Sequence, residues 1–381
     1  MTLINVEDAR RAARRRLPRI FFDYLDGGAF GEETMAANRA DFSRWTLRQR
    51  VLVDCARRDL STDFLGRRHA VPFMLGPVGF LGLYAGHGEV QAAKAAHEAG
   101  TALCLSTFSI ASIGELREKT TGPLDFQLYV LNDRGLSEEI IAQAQAAGVE
   151  NLYLTVDTAI TSVRERDVRN GFRSLTRVGP GLLAKLALHP RWCLDMSRAG
   201  TPRVGAIAHR PEFGAGLLEQ ASHLSRGIDK SLSWRDVEWL RARWPGRLVL
   251  KGLLDPEDAR RAKAAGADAI VVSNHGGRQL DGTSSTIAAL PAIVDALEGG
   301  TEILVDGGFR RGADIVKALA LGASGVLLGR AYVYGLGAAG GAGVKRVIAH
   351  LTEEIDITLA LMGLTSVAEL KNVGREALRP L

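Results

Sequence analysis

Residues 269–282 read Ala-Ile-Val-Val-Ser-Asn-His-Gly-Gly-Arg-Gln-Leu-Asp-Gly, and this stretch is the most informative about the fold. The first four residues form a β-branched apolar run, which is typical of a buried parallel strand. A histidine, two glycines and an arginine follow where this strand would end. Because ligands and catalytic groups of parallel α/β proteins lie at that end of the strands, His275 and Arg278 are candidate functional residues. A base beside a fixed cation suits the removal of a proton from a small anionic substrate.

The same unit recurs from residue 71 onward: a short apolar run, a glycine-rich or polar turn, and a helical pattern. The predicted strands are 71–75, 102–105, 124–130, 151–156, 247–250, 269–272, 302–305 and 325–328. The predicted helices include 88–100, 138–148, 234–244, 255–266, 313–322 and a closing helix near 343–362. Eight strands that alternate with helices predict an α/β protein of the (β/α)8, or TIM barrel, type. An open doubly wound sheet is the alternative, but no GxGxxG turn follows the first strand.

Two segments lie outside this repeat. Residues 1–70 are predicted to form an N-terminal helical cap on a barrel that spans residues 71–381. Residues 173–225 form an insertion after the fourth strand that is far longer than a usual connection. It carries several leucines among basic residues such as Arg177 and Lys185. It is either an ordered lid or subunit contact, or a basic amphipathic segment that rests on an anionic membrane surface.

The composition is that of a globular protein with a large core, since 46% of its 381 residues are hydrophobic and 24% are charged. Cys55, Cys104 and Cys193 have no metal-binding or CxxC spacing, so a reducing, cytoplasmic location without a metal site is expected. Neither a signal peptide nor a membrane-spanning run is recognised. The net charge of +5 accompanies no nucleic-acid motif. Anionic substrates or an anionic membrane therefore explain the charge better than nucleic acid does.

Each predicted strand ends in a polar side chain or an open backbone. In strand order these residues are Pro77, Val78 and Gly79; Ser106; Gln127 and Tyr129; Thr155 and Asp157; Lys251; Ser273, His275 and Arg278; Asp306, Gly307, Gly308 and Arg310; and Gly329 and Arg330. The carboxyl ends of barrel strands meet at one face, so these residues are expected to form a single site. The last two groups are typical of a phosphate site, because backbone amides, a helix dipole and an arginine act together there.

Five segments resemble the FMN-dependent L-2-hydroxy acid oxidase and dehydrogenase family. They are Ser-Asn-His-Gly-Gly-Arg-Gln-Leu-Asp (273–281), Phe-Gln-Leu-Tyr-Val (126–130), Thr-Val-Asp (155–157), Leu-Lys-Gly (250–252) and Asp-Gly-Gly-Phe-Arg-Arg-Gly (306–312). The resemblance covers essentially the whole chain. Leu-His-Pro-Arg-Trp (188–192) looks closest to L-mandelate dehydrogenase, whereas Gly-Pro-Val-Gly (76–79) looks more like membrane L-lactate dehydrogenase. The resemblance implies an enzyme with FMN as its cofactor.

The resemblance also implies roles for the residues around the substrate. His275 would be the general base, and Asp157 would orient its ring and stabilise its charged form. Arg278 and Arg164 would hold the substrate carboxylate, because the guanidinium fork matches two oxygens.

Further roles concern the substrate's polar groups and the cofactor. Tyr24 and Tyr129 would form hydrogen bonds with the carboxylate and the hydroxyl group. Lys251 would lie beside the flavin N1–C2 carbonyl and stabilise the charge of the reduced ring. The isoalloxazine would be held by Ser106, Gln127, Thr155, Ser273 and the backbone of Pro77, Val78 and Gly79. The ribityl chain and phosphate would be held by Asp306, Gly307, Gly308, Arg310, Gly329 and Arg330.

Five other side chains are expected to be structural. Arg166 and Arg169 would be surface charges or form local pairs, and Arg311 would be solvated or paired. His189 and Trp192 would anchor the long insertion.

Two positions bear on the type of reaction. Phe108 stands where glycolate oxidase has a tryptophan, so the resemblance does not imply a small substrate. Gly79 stands where oxidases carry alanine near flavin N5, which favours a dehydrogenase that passes electrons to a quinone. The expected enzyme oxidises a lactate- or mandelate-like acid to the 2-oxo acid, as a homotetramer on the inner face of the cell membrane. The alternatives are a soluble oxidase that releases hydrogen peroxide, an FMN barrel of non-redox type, and a non-catalytic flavin- or anion-binding barrel.

Overall fold

The computed structural model describes residues 3–172 and 179–381, and a closed parallel barrel forms its centre. Its strands are, in chain order, β1 (Trp45–Leu47), β2 (Thr62–Phe64), β3 (Arg67–His69), β4 (Phe73–Leu75), β5 (Leu103–Ser106), β6 (Leu124–Leu128), β7 (Asn151–Thr155), β8 (Arg247–Leu253), β9 (Ala269–Val272), β10 (Glu302–Val305), β11 (Gly325–Leu328) and β12 (Leu378–Pro380). Strands β4 to β11 pair in chain order, and β11 closes the ring on β4. The predicted (β/α)8 barrel is confirmed.

Helices surround the barrel and form most of the cap. They are α1 (Val6–Arg16), α2 (Arg19–Asp26), α3 (Glu33–Ala40), α4 (Gly88–Glu98), α5 (Ile113–Lys119), α6 (Arg134–Ala146), α7 (Glu165–Asn170), α8 (Pro180–Ala187), α9 (Pro190–Ala199), α10 (Leu217–Gly227), α11 (Trp234–Arg241), α12 (Pro256–Ala264), α13 (Thr286–Leu297), α14 (Gly312–Ala320), α15 (Arg330–Leu361) and α16 (Val367–Val373). The closing helix was predicted to begin near residue 343. This prediction is confirmed, because the backbone of α15 is not helical at Ala339 and Gly340, and a second helical stretch runs from there to Leu361. The first stretch of α15, from Arg330 to this kink, was not predicted.

The barrel strands are apolar on both faces because both faces are covered. Ala269 and Val271 point into a cluster inside the barrel, whereas Ile270 and Val272 pack with the surrounding helices. This alternation follows from the two-residue period of a strand. Phe64, from the hairpin of β2 and β3, joins the inner cluster. The part of the chain predicted as a helical cap therefore also contains strands, and its hairpin contributes to the barrel core.

The cap and the end of the chain pack together. Helix α1 lies along α15, and β1 pairs antiparallel with β12. Arg16 of α1 donates to the carbonyl of Tyr84 at 2.8 Å and forms an ion pair with Asp195 of α9. The cap is thus fixed both to the barrel and to the long insertion.

The insertion after β7 contains α8, α9 and α10, and its residues 173–178, including Arg177, lie outside the described residues. His189 Nδ1 lies 3.1 Å from the carbonyl oxygen of Arg16, and Trp192 Nε1 donates to the carbonyl of Leu83 at 2.8 Å. The predicted anchoring by His189 and Trp192 is therefore confirmed. None of the helices in the described part of the chain combines the length and the hydropathy that a membrane span requires.

Candidate active site

The carboxyl ends of the barrel strands open into a cavity of about 2280 Å³. Every residue predicted to contact substrate or cofactor lines this cavity, except Asp157 and Ser273. Those two lie directly behind its wall, where Asp157 contacts His275 and Ser273 contacts Lys251. The fold thus brings the predicted residues together at one face of the barrel.

His275 follows β9 in a left-handed conformation, with φ of 58°, that is uncommon outside glycine. Its backbone N–H donates to Ser273 Oγ at 3.1 Å, and its Nδ1 lies 3.0 Å from Asp157 Oδ1. A carboxylate at Nδ1 favours the tautomer with its proton there and leaves Nε2 as the basic nitrogen. Burial lowers the pKa of His275 despite the attraction of Asp157. The ring is therefore neutral at neutral pH and able to accept a proton.

Asp157 remains ionised in this pair. Burial favours its neutral form, but attraction to the His275 ring when that ring is protonated, the hydrogen bond with it and the charge of Lys251 hold the pKa of the carboxyl below its ordinary value. Asp157 Oδ2 is buried and has no hydrogen-bond partner among the described residues. The carboxylate can therefore stabilise the imidazolium that forms when His275 takes a proton.

Two arginines flank the ring of Tyr24 near the histidine. The guanidinium carbon of Arg278 lies 5.0 Å from the ring centroid and that of Arg164 lies 5.5 Å from it. Burial and the neighbouring Arg164 both lower the pKa of Arg278. Arg164 Nε is buried and has no hydrogen-bond partner among the described residues. Two half-buried cations at one wall of a cavity favour an anionic ligand.

Aromatic side chains line the cavity beside these cations. Phe108 lies between Phe80 and Tyr129, with ring centroids 5.7 and 5.5 Å away. Tyr24 stacks on Phe172 at 4.4 Å. Burial raises the pKa of Tyr129, so its hydroxyl keeps its proton and can donate a hydrogen bond.

Lys251 of β8 is a buried cation whose charge acts on both members of the histidine pair. Its Nζ lies 3.0 Å from Ser273 Oγ and 3.0 Å from Asp306 Oδ2. Burial disfavours its charge, but Asp306 and Asp157 outweigh that effect and raise the pKa of the ammonium. Lys251 therefore places a permanent positive charge in the wall of the cavity.

The end of the cavity at β10 and β11 has the features of an anion site. Gly308 has φ of 84°, and a Cβ there would lie 1.9 Å from the carbonyl oxygen of Asn38, so only glycine fits. A Cβ at Gly329 would meet nothing within 4 Å, which leaves the backbone open at the start of α15. Backbone N–H groups at a helix start bind phosphate readily. Arg310 Nε is buried there without a hydrogen-bond partner among the described residues.

Arg330 differs from the other predicted cofactor residues in its contacts. Its guanidinium donates to the carbonyls of Leu25 at 3.0 Å, Gly276 at 2.7 Å and Gly27 at 2.8 Å. Burial, together with the charge of Arg278, lowers the pKa of Arg330 to about 9. The side chain thus joins the cap to the loop that carries His275.

Comparison with known proteins identifies the family. The model of the FMN-dependent dehydrogenase family matches residues 13–377. The chain belongs to this family. It is 47% identical over 371 residues to the L-lactate dehydrogenase of Caulobacter vibrioides (strain NA1000 / CB15N), with 97% of each chain covered. It is 44% identical over 388 residues to the L-lactate dehydrogenase of Xanthobacter autotrophicus (strain ATCC BAA-1158 / Py2), with 100% of this chain and 99% of that protein covered.

Solved structures of the family show the same fold. A crystal structure of (S)-mandelate dehydrogenase, described as a monotopic membrane protein, superposes with a TM-score of 0.95 at 41% identity, over 100% of both chains. A mandelate oxidase superposes with a TM-score of 0.83 at 36% identity, over 100% of this chain and 99% of that one. The chain is therefore an FMN-dependent dehydrogenase by family, with FMN as its cofactor.

The residues present fit FMN. Ser106 Oγ donates to Gln127 Oε1 at 3.0 Å, whereas Gln127 Nε2 is buried without a hydrogen-bond partner among the described residues. Asp306 Oδ1 is likewise buried without a partner in the described part of the chain. Buried polar groups are normally satisfied, so this donor and this acceptor suit the polar edge of a flavin and a ribityl hydroxyl.

Sequence reasoning placed Arg166 wrongly and missed Asp26. Arg166 Nη1 donates to Asp26 Oδ2 at 2.9 Å, and its Nη2 also binds Glu32, so it is a link between α7 and the cap rather than a surface charge. No motif marks Asp26, because its partners are far away in the sequence. Arg169 pairs locally with Glu165, and Arg311 pairs with Glu354 at 2.7 Å, as predicted.

Proposed function

We propose that this protein oxidises an L-2-hydroxy acid to the corresponding 2-oxo acid. The observation that carries the proposal is the pair of His275 and Asp157 in the same cavity as Arg164 and Arg278. A base that is neutral at neutral pH, beside two half-buried cations, suits a substrate that has a carboxylate and an α-hydrogen or hydroxyl hydrogen to lose. A barrel that only bound flavin or anions would not need the base, its carboxylate and both arginines together. Relatives named L-lactate dehydrogenase and (S)-mandelate dehydrogenase support this substrate class.

The roles of the residues follow from their chemistry. Arg278 and Arg164 hold the two carboxylate oxygens and so orient the α-carbon and its hydroxyl group. Tyr24 and Tyr129 donate hydrogen bonds to the carboxylate and the hydroxyl oxygen. His275 Nε2 takes one proton from the substrate, from the α-carbon or from the hydroxyl. Asp157 stabilises the imidazolium that results.

Bound FMN would supply the redox chemistry, because it can accept the two electrons and the second hydrogen that leave the substrate. Lys251 would stabilise the negative charge of the reduced flavin at its N1–C2 edge. Gln127, Ser106, Thr155, Ser273 and the backbone of Pro77, Val78 and Gly79 would hold the ring. Asp306, Gly307, Gly308, Arg310, Gly329 and Arg330 would hold the ribityl chain and the phosphate.

An anaerobic titration of the FMN-loaded protein with L-lactate and with L-mandelate tests this function. We expect one of these acids to bleach the flavin absorbance and to be recovered as its 2-oxo acid. If neither acid, nor a longer L-2-hydroxy acid, bleaches the flavin, the proposed substrate class is wrong.

Admission of air to the bleached protein then distinguishes oxygen from other electron acceptors. Slow recovery of the absorbance supports a dehydrogenase, whereas fast recovery with formation of hydrogen peroxide supports an oxidase.

We further propose that a quinone in the membrane accepts the electrons, and that the insertion rests on the inner face of the cell membrane. Leu183, Leu188 and Leu194 are 55%, 78% and 53% exposed on α8 and α9 or between them. The same segment carries exposed basic side chains, namely Lys185, Arg191, Arg198 and Arg203. Exposed leucines among cations are typical of a segment that binds an anionic bilayer. The homotetramer that the family resemblance implies stays a prediction.

A vesicle-binding assay tests the docking proposal. Replacement of Leu183, Leu188 and Leu194 by serine should abolish sedimentation with anionic vesicles and leave the reduction of a water-soluble acceptor unchanged. Serine at Ile357 and Leu361, which are also exposed but lie on α15, is the matched control and should not affect binding. Equal vesicle binding by the triple variant and the wild type would exclude the insertion as the docking segment.

A further inference from the structure

The C-terminal turn of α2 accepts hydrogen bonds from two arginines that serve opposite ends of the site. Arg278 Nη1 donates to the carbonyls of Tyr24 at 2.7 Å and Gly27 at 2.9 Å. Arg330 donates to the carbonyls of Leu25 and Gly27, at 3.0 and 2.8 Å. Carbonyls at a helix C-terminus are unpaired within the helix and carry partial negative charge, so they bind cations well. One turn therefore orients a substrate arginine and a cofactor arginine together.

The side chain of Asp26 holds this turn in place. Arg10 of α1 donates to both of its carboxylate oxygens, at 2.6 and 2.8 Å, in a bidentate pair. Arg166 donates to it at 2.9 Å, and the hydroxyl of Tyr334 donates at 2.7 Å. Asp26 is only 3% exposed. Burial opposes its charge, but Arg10 and Tyr334 outweigh burial and hold the pKa of the carboxyl far below its ordinary range. The carboxylate is thus a fully ionised and fully bonded junction.

The partners of Asp26 belong to the segments that carry the functional groups. Arg166 lies two residues after Arg164, the second arginine at the substrate. Tyr334 lies one helical turn after Arg330, and the guanidinium of Arg310 lies 5.4 Å from the centroid of its ring. A displacement of the carboxylate would therefore reach both arginines at the substrate and both arginines at the phosphate.

We propose that Asp26 is a positioning residue. Through the C-terminal turn of α2, it holds the arginines at the substrate and the arginines at the cofactor in fixed positions relative to each other. The predicted effect on binding of a substrate carboxylate rests on the proposed function, whereas the predicted effect on FMN binding rests on membership of the family. Asp26 touches neither ligand in this proposal. It acts through the carbonyls of Tyr24, Leu25 and Gly27 and through Arg166 and Tyr334.

The test compares Asp26→Asn with the wild type in two separate binding measurements. The Kd of FMN is measured by fluorescence quenching on reconstitution of the apoprotein. The Kd of oxalate, a carboxylate that cannot be oxidised in this way, is measured from the flavin absorbance of the FMN-saturated enzyme. We expect both constants to rise by about 10- to 100-fold, which corresponds to the loss of about one charged hydrogen bond to each ligand. Circular dichroism and thermal unfolding show whether the variant is folded.

Two further variants keep the result interpretable. Tyr334→Phe removes one hydrogen bond to Asp26 and keeps the ring beside Arg310, so it should raise both constants to a smaller extent and remains informative if Asp26→Asn does not fold. Asp195→Asn breaks another cap ion pair, with Arg16, that does not touch the α2 turn. It should leave both constants unchanged, and equal losses in Asp195→Asn would show a general effect of cap docking instead.

Each outcome decides between the parts of the proposal. A lower melting temperature with both dissociation constants unchanged would make Asp26 a purely structural residue and overturn the inference. A rise in only one of the two dissociation constants would contradict the proposal that Asp26 positions both sets of arginines together. If the wild type binds FMN but no 2-hydroxy acid bleaches it, the proposed function fails, yet the effect of Asp26→Asn on the Kd of FMN still tests the junction.

Discussion

Replacement of Asp157 by asparagine removes the negative charge of this side chain and keeps its shape, so it tests the effect of the charge alone. Asp157 Oδ1 lies 3.0 Å from His275 Nδ1, and its side chain is 13% exposed. An amide can still accept the hydrogen bond, so the variant loses mainly the attraction to the imidazolium that forms when His275 takes its proton. Two unit charges about 4 Å apart attract each other by about 4 kcal/mol at an effective dielectric constant of about 20.

The partial exposure of the pair reduces this attraction to about 3 kcal/mol, within the range for hydrogen bonds to charged groups. Because 1.36 kcal/mol corresponds to a tenfold change in rate, kcat/KM should fall by about 100-fold. The matched control is the Kd of FMN, which should stay close to that of the wild type, because Asp157 lies behind the cavity wall.

The pH profile gives a second and independent signature. Burial keeps the pKa of His275 below the usual value for histidine, and the charge of Asp157 opposes this effect. Loss of that charge lowers the pKa of His275 further. At low pH, kcat/KM falls because His275 of the free enzyme is protonated. This acid limb of the profile should therefore move to lower pH in the variant.

The assay is the initial rate of reduction of a soluble acceptor, measured from about pH 5 to pH 8, the range in which histidine titrates. The anaerobic rate of flavin bleaching is followed in parallel. A variant with nearly the wild-type rate would refute the role of the charge. A slow variant whose acid limb has not moved would show that Asp157 does not set the pKa of His275.

Other substitutions test the remaining parts of the site. His275→Ala should still bind FMN but lose at least about 100-fold in kcat, as expected for loss of a general base, and a near-normal kcat would exclude it from that role. Arg278→Lys should lower kcat/KM by about tenfold or more, because charged hydrogen bonds worth about 1.5–3 kcal/mol are lost with the guanidinium fork, and an unchanged kcat/KM would contradict this. Gly79→Ala would place a Cβ 2.9 Å from the Cβ of Phe108, so denaturant unfolding should show about 1–3 kcal/mol less stability, whereas wild-type stability would mean that Phe108 can move aside freely.

Most of the barrel could be predicted because each strand is marked by an apolar run within its own short stretch of sequence. The bounds of β9, β10 and β11 agree with the apolar runs in the sequence, since each run is ended by a glycine or a polar residue. The first stretch of α15, before the kink at Ala339 and Gly340, was missed because it contains glycines, which are unfavourable in an isolated helix. Here the glycines allow close packing: a Cβ at Gly337 would lie 2.8 Å from Leu17 Cδ1, and one at Gly343 would lie 1.9 Å from the carbonyl oxygen of Gly335.

The site residues at the strand ends could be predicted for the same reason, but the links between them could not. Asp26 lies 16 residues from Arg10, 140 from Arg166 and 308 from Tyr334. Each of these four residues looks like an ordinary helix or surface residue in its own segment. Only the folded chain brings three donors from three elements to one buried carboxylate.

The barrel and its cap each supply part of the site. The barrel alone supplies the base, its carboxylate, the buried lysine and the glycine-rich anion site, all at strand ends. The cap supplies Tyr24 and the turn whose carbonyls orient Arg278 and Arg330. Partly buried guanidinium groups without such acceptors would be unfavourable, and burial already lowers the pKa values of both arginines. The cationic character that makes the cavity suitable for a carboxylate and a phosphate therefore depends on a segment outside the barrel.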